Sequence, residues 1–268
     1  MGQIIYLAAH EYRAVAPDPR GYEDTTGAPI DDPTKFTTLH VVGDMVALIT
    51  ALGVDMVFVV GHDWGAMIAW SLCLFRPDKV KALVNLSVHF APRKPHQKNV
   101  EIFRVAYRDD HYICRFHEPG EIEAVFASLG TKKVFKKFLT HRDPDPFYFP
   151  KDKPFGALYD TPVILPSWLS EEDFDYYTKK FEQTGFTGGI NYYRCFDFGN
   201  FLFNMLGKWK ESEYSGQSVP VGGLAYYVTA PCQGYYSFRM KKRNILRIMQ
   251  TQVYHYKLLG NEFLMEMD

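Results

Sequence analysis

The residues whose types and spacing say most about chemistry are Gly61-His62-Asp63-Trp64-Gly65. They follow the apolar run Met56-Val57-Phe58-Val59-Val60 and precede a second apolar stretch, Ala66 to Phe75. A strand that runs into G-x-D-x-G and then a helix lifts its central side chain above a sheet edge, with Asp where such turns usually carry Ser. Glycine is expected on both sides because side chains there would meet neighbouring backbone. The helix start favours a carboxylate and supplies backbone N–H donors. A carboxylate is ionised at neutral pH and needs no base to activate it. It is poor at acyl transfer but can displace a leaving group from an sp³ carbon, leaving an ester that water must cleave. The plainer reading of the same turn is an Asp that only caps the helix. His62 is expected to point away from Asp63 and to pack. Trp64 is expected to line a pocket with its ring and to offer its backbone N–H to an oxyanion.

The elements that must hold this turn are legible on both sides. Arg13 to Ala16 reads as a strand end before Pro17-Asp18. Leu39, Val42, Met45, Val46, Ile49 and Leu52 recur at three- and four-residue spacing, which predicts a helix from about Thr37 that Gly53 closes. The Met56–Val60 run is continuous, the pattern of a strand buried on both faces. The helix after the turn should stop at Pro77, with Val80 to Leu86 as the next buried strand. This alternation implies βαβ units and a parallel sheet. From about Ala91 to Arg194 the patterns are mainly helical, broken by a Pro-rich stretch from Asp143 to Pro154. Beyond Arg194 they are erratic, with a strand suggested at Val219–Val228 and a helix at Asn244–Leu259. The division expected is a partial core at 1–90, a mostly helical cap at 91–194 and a divergent segment at 195–268.

Composition narrows the function classes. A formal net charge of −1 offers no field towards nucleic acid, and 47% apolar residues suffice for a large buried core. Cys73, Cys114, Cys195 and Cys232 form no C-x-x-C pair, so neither a metal site nor a disulfide framework is expected, and no cofactor is implied. The apolar stretch Met45–Val60 is interrupted by Gly53 and Asp55, which argues against a membrane span. With no basic segment ahead of the first apolar run, the chain reads as soluble and cytoplasmic. The 21 Phe and 18 Tyr could line an apolar pocket, but ordinary core is the simpler account.

Longer motifs carry a resemblance. Ala14-Val15-Ala16-Pro17-Asp18, Arg20-Gly21-Tyr22 and the Asp63 turn are similar to segments of the plant soluble epoxide hydrolases. So are Asn85-Leu86-Ser87-Val88, His111-Tyr112-Ile113-Cys114-Arg115-Phe116, Phe147-Tyr148-Phe149-Pro150, Leu165-Pro166-Ser167-Trp168-Leu169 and Thr187 to Arg194, in the family's order. The resemblance implies an α/β-hydrolase fold, a mostly parallel sheet with an inserted helical cap. It also implies a small apolar epoxide as substrate, such as a fatty-acid epoxide. Asp63 would open the ring to an alkyl-enzyme ester, and water would release a vicinal diol. Two cap tyrosines of the family hydrogen-bond the epoxide oxygen and act as its acid; the matching positions are Tyr112 and Tyr193, with Tyr192 the alternative to Tyr193. A phenol suits that part, because it protonates a strongly basic alkoxide without being ionised at rest.

Two departures qualify the resemblance. The family's H-G-F-P-E loop, source of a second oxyanion donor, has no counterpart ahead of Gln3–His10, so the core is expected to be incomplete at its N-terminal side. The acidic residue and histidine that activate the hydrolytic water in the family have no match in 195–268, where His255 is the only histidine. Impaired turnover is therefore expected. A binding or regulatory isoform without turnover stays open, and so does haloalkane dehalogenase, which shares the Asp turn but needs N–H donors around a halide rather than an acid.

Overall fold

A computed structural model describes residues 2–86, 88, 90, 98–141, 146–156, 164–197 and 225–228. The described part of one unit is residues 2–18, helix α1 (Gly2–Ala8) with an irregular continuation. The strand end expected at Arg13–Ala16 is absent. Ladder hydrogen bonds make a strand, not an apolar run alone, and these residues carry no ladder.

The second unit spans Pro19–Gln233 and holds all the other described residues. Helix α2 (Thr38–Ala51) forms where the periodicity placed it, and Gly53 at φ 72° ends it in the left-handed conformation. Strand β1 (Val57–His62) leads into α3 (Trp64–Phe75), Pro77 opens a short 3₁₀ turn, and β2 (Val80–Leu86) follows. The strands are parallel, with Gly61 opposite Asn85. A third strand, β3 (Ala225–Val228), joins the far side of β2, also parallel, in the order β1-β2-β3. It covers the last part of the strand expected at Val219–Val228; the helix expected at Asn244–Leu259 lies outside the described residues.

Val42 and Ile49 of α2 pack with Ala69, Trp70, Leu72 and Cys73 of α3 and with Val80 and Leu83 of β2. Val57 and Val59 lie against this cluster, whereas Phe58 and Val60 are 61% and 52% exposed. Burial of β1 on both faces is thus not what the described residues show. The two helices cover one face, and alternating side chains leave the sheet on opposite sides.

Between β2 and β3 the described residues form six helices, α4 (Asn99–Tyr107), α5 (Tyr112–His117), α6 (Glu121–Leu129), α7 (Thr131–Thr140), α8 (Glu171–Thr184) and α9 (Thr187–Arg194). Local signals set the ends. The Ser170 hydroxyl accepts from the Asp173 amide at 3.0 Å, and three acidic residues fill the first turn of α8. The core of the block is Phe116, Ile122, Phe126, Val134, Phe149, Phe155 and Ile190, so the phenylalanines of the middle third are largely packing residues.

Candidate active site

Asp63 stands between β1 and α3 with φ 52° and ψ −122°, a conformation that costs a non-glycine residue energy and is held by its surroundings. Gly61 makes the turn possible, since a Cβ there would lie 2.7 Å from both the Ala66 Cα and the Asn85 Oδ1. Gly65 differs from the expectation, because a Cβ at that position meets nothing within 4 Å. Asn85 braces the turn from β2; its side chain is buried and its Nδ2 donates to the Ala66 carbonyl at 3.1 Å.

The Asp63 side chain makes no capping hydrogen bond to α3. The first turn of the helix hangs instead on the Asp63 backbone carbonyl, which accepts from Ala66 N–H at 3.0 Å. The carboxylate is exposed and available for other work, and the helix-cap reading of this aspartate falls. His62 is exposed at the strand's end, so its expected packing role is not found.

An aromatic cluster adjoins the turn at Trp64. The Trp64 ring lies 5.2 Å from Tyr193, 5.8 Å from Tyr192 and 5.5 Å from Phe196, and Tyr112 meets Tyr193 edge-on at 5.8 Å. Burial pushes the Tyr112 phenol up to about 12, and the Asp63 charge adds to it. Tyr193 is raised further, by burial first, then by Asp63 and Tyr112, with the adjoining Trp64 indole working the other way. Both phenols therefore stay protonated well above neutral pH within reach of the Asp63 charge.

The same geometry separates Tyr193 from Tyr192. Tyr192 is buried and its hydroxyl donates to the Arg20 carbonyl at 3.0 Å, so it ties α9 to the loop before α2. Tyr112 is set by its own backbone, as its N–H donates to the Phe147 carbonyl at 3.0 Å at the head of α5. The neighbouring His111 caps that helix by accepting from Ile113 N–H at 3.3 Å, and desolvation pushes its imidazole down to about 4. The structure thus brings Asp63, Trp64, Tyr112 and Tyr193 to one place. Asn85 braces the turn and Tyr22 joins the cluster that holds Trp64. Both lie inside quoted motifs, yet nothing in an Asn of a buried strand or a Tyr among 18 marks it as facing a site.

A parallel sheet, a strained strand-to-helix turn around a carboxylate without a hydrogen-bond partner among the described residues, and a helical block between β2 and β3 define an α/β-hydrolase fold. The profile of that fold family matches residues 1–109. Among its relatives, epoxide hydrolase 2 of Siraitia grosvenorii is 54% identical over 211 residues, covering 79% of this chain and 65% of that protein. The solved structure of potato (Solanum tuberosum) epoxide hydrolase I is 61% identical, with TM-score 0.72, over 78% of this chain and 66% of the potato chain. That of an epoxide hydrolase from Vigna radiata is 48% identical, with TM-score 0.68, over 78% and 64%. The chain belongs to the epoxide hydrolase family. It spans just under two thirds of the length of the curated Siraitia relatives it matches. Among the described residues no helix is long and apolar enough to cross a membrane.

Proposed function

We propose that this chain opens epoxides through a covalent ester on Asp63. One carboxylate oxygen attacks a ring carbon, the C–O bond breaks, and its electron pair moves to the epoxide oxygen. Tyr112 and Tyr193 hold that oxygen and supply its proton, and Trp64 gives wall and backbone N–H. The product is a hydroxyalkyl ester, and water attack at its carbonyl returns the carboxylate and releases a vicinal diol. The observation that carries this reading is an uncapped Asp63 carboxylate faced by two protonated phenols. Halide displacement has less support, since a leaving halide needs no proton.

We further propose that ester hydrolysis is the slow step here. The support is the absence in 195–268 of a match to the acid and histidine that activate water in the family. The aromatic cluster suits an apolar arm, a fatty-acid epoxide among such substrates, and the scattered cysteines suit the cytoplasm.

A quenched time course with styrene oxide tests both steps. A burst of protein-bound adduct with slow diol release is expected, and Asp63→Asn should abolish both. Diol formed from the first turnover without adduct build-up would remove the slow-hydrolysis reading. Diol or adduct unchanged in Asp63→Asn would remove the ring-opening reading itself.

A further inference from the structure

Tyr112 and Tyr193 are not the only hydroxyls beside the nucleophile. Tyr22, in the loop before α2, packs its ring 5.9 Å from Tyr192 and 6.1 Å from Phe181, within the cluster that also holds Trp64. Its hydroxyl end lies against α9, where a Cβ on Gly189 would stand 2.6 Å from the Tyr22 oxygen. Glycine at 189 therefore leaves room for that oxygen. The hydroxyl donates no hydrogen bond to any of the described residues, although the ring is firmly held. Asp63 raises this phenol as it does the other two, after burial, which places the hydroxyl within the electrostatic reach of the carboxylate.

The position differs from that of the acid pair. Tyr193 touches Trp64 directly and Tyr112 lies beyond it, whereas Tyr22 is reached from Trp64 through Tyr192. Tyr192 cannot serve in its place, because its hydroxyl is engaged by the Arg20 carbonyl. A protonated phenol that has no acceptor among the described residues and is held in the cluster beside Trp64 is a directed donor. Leaving it without an acceptor in a substrate-filled site costs free energy, and offering one recovers it.

Resting on the epoxide reading above, we infer that Tyr22 is a specificity-determining residue whose hydroxyl donates to an ether, carbonyl or hydroxyl oxygen on the substrate arm remote from the ring. The site would then favour oxygenated epoxides over purely hydrocarbon ones of the same size.

The test compares the native chain with Tyr22→Phe, which keeps the ring and its packing. Ester formation on Asp63 is timed with styrene oxide, which has no oxygen outside the ring, and with phenyl glycidyl ether, which has one. The substitution should slow labelling by the ether about three- to tenfold, the worth of one net hydrogen bond, and leave styrene oxide within about twofold. An equal effect on both, or none on either, would overturn the assignment. If neither epoxide labels the native chain, the ring-opening reading fails, and Tyr22 is decided by equilibrium binding. Calorimetry with 3-phenoxypropane-1,2-diol and 1-phenylethane-1,2-diol should show Tyr22→Phe weakening only the former. No such difference, including no binding of either diol, would refute the role.

Discussion

Tyr192 and Tyr193 adjoin in sequence and have opposite surroundings: one hydroxyl is engaged by the Arg20 carbonyl, the other faces the Asp63 charge. The motif narrowed the acid to this pair, but the choice between them depends on how α9 is turned, which residue types do not reveal. Asp63 itself was legible from its glycines and flanking runs, while Tyr22 was not, because its approach to α9 joins segments far apart in the chain. The raised phenols carry a pH consequence. A proton donor works while protonated, and its function is lost as pH rises through its folded-state pKa. Ring opening should therefore stay level from neutral pH to about 10, where an ordinary phenol is already half ionised, and should fall only towards the value of about 12 at Tyr112. Tyr112→Phe and Tyr193→Phe should each slow labelling of Asp63 by about ten- to a hundredfold, the pair together by more. Rapid-quench mass spectrometry over pH checks both; a decline centred near 9 would contradict the burial argument.

At the scale of elements, the turn and the helix heads decide where these side chains point. The two glycines of the turn had looked equivalent in sequence, and the structure separates them. Gly61→Ala drives a Cβ into the Ala66 backbone and Asn85 and should destabilise by about 1–3 kcal/mol. Gly65→Ala, in the first turn of α3 with open space around it, should be neutral or stabilise by up to about 1 kcal/mol. Urea midpoints measure the difference, and equal loss from both would refute the geometry. His111 gives a second expectation at the head of α5. Its folded-state pKa lies below the ordinary value of about 6.5, so the folded chain binds that proton less readily than the unfolded one. Its contribution is fully present above about 6.5, falls as pH drops, and the loss levels off near 4. His111→Asn, which keeps a capping acceptor but does not titrate, should flatten the fall between pH 6.5 and 4 in denaturation midpoints.

For the whole molecule, strand, helix and strand around Asp63 were readable because periodicity and punctuation agree there, and the helices between residues 99 and 194 from their helical patterns. Failures came where tertiary context rules. The apolar Arg13–Ala16 has no ladder, and β1 is covered on one face by α2 and α3 while Phe58 and Val60 look the other way. The fold nevertheless packs Tyr22, Trp64, Tyr112 and Tyr193 into one aromatic cluster, through Tyr192, from a loop, the head of α3 and two helices of the block. If Asp63 becomes covalently attached to substrate, the site of attachment will show it. After brief exposure to styrene oxide and quenching in acid, peptide mapping should find one adduct of the epoxide's full mass on the peptide containing Asp63, removable by mild base as an ester. A base-stable adduct on a cysteine or histidine, with the Asp63 peptide unmodified, would contradict the account.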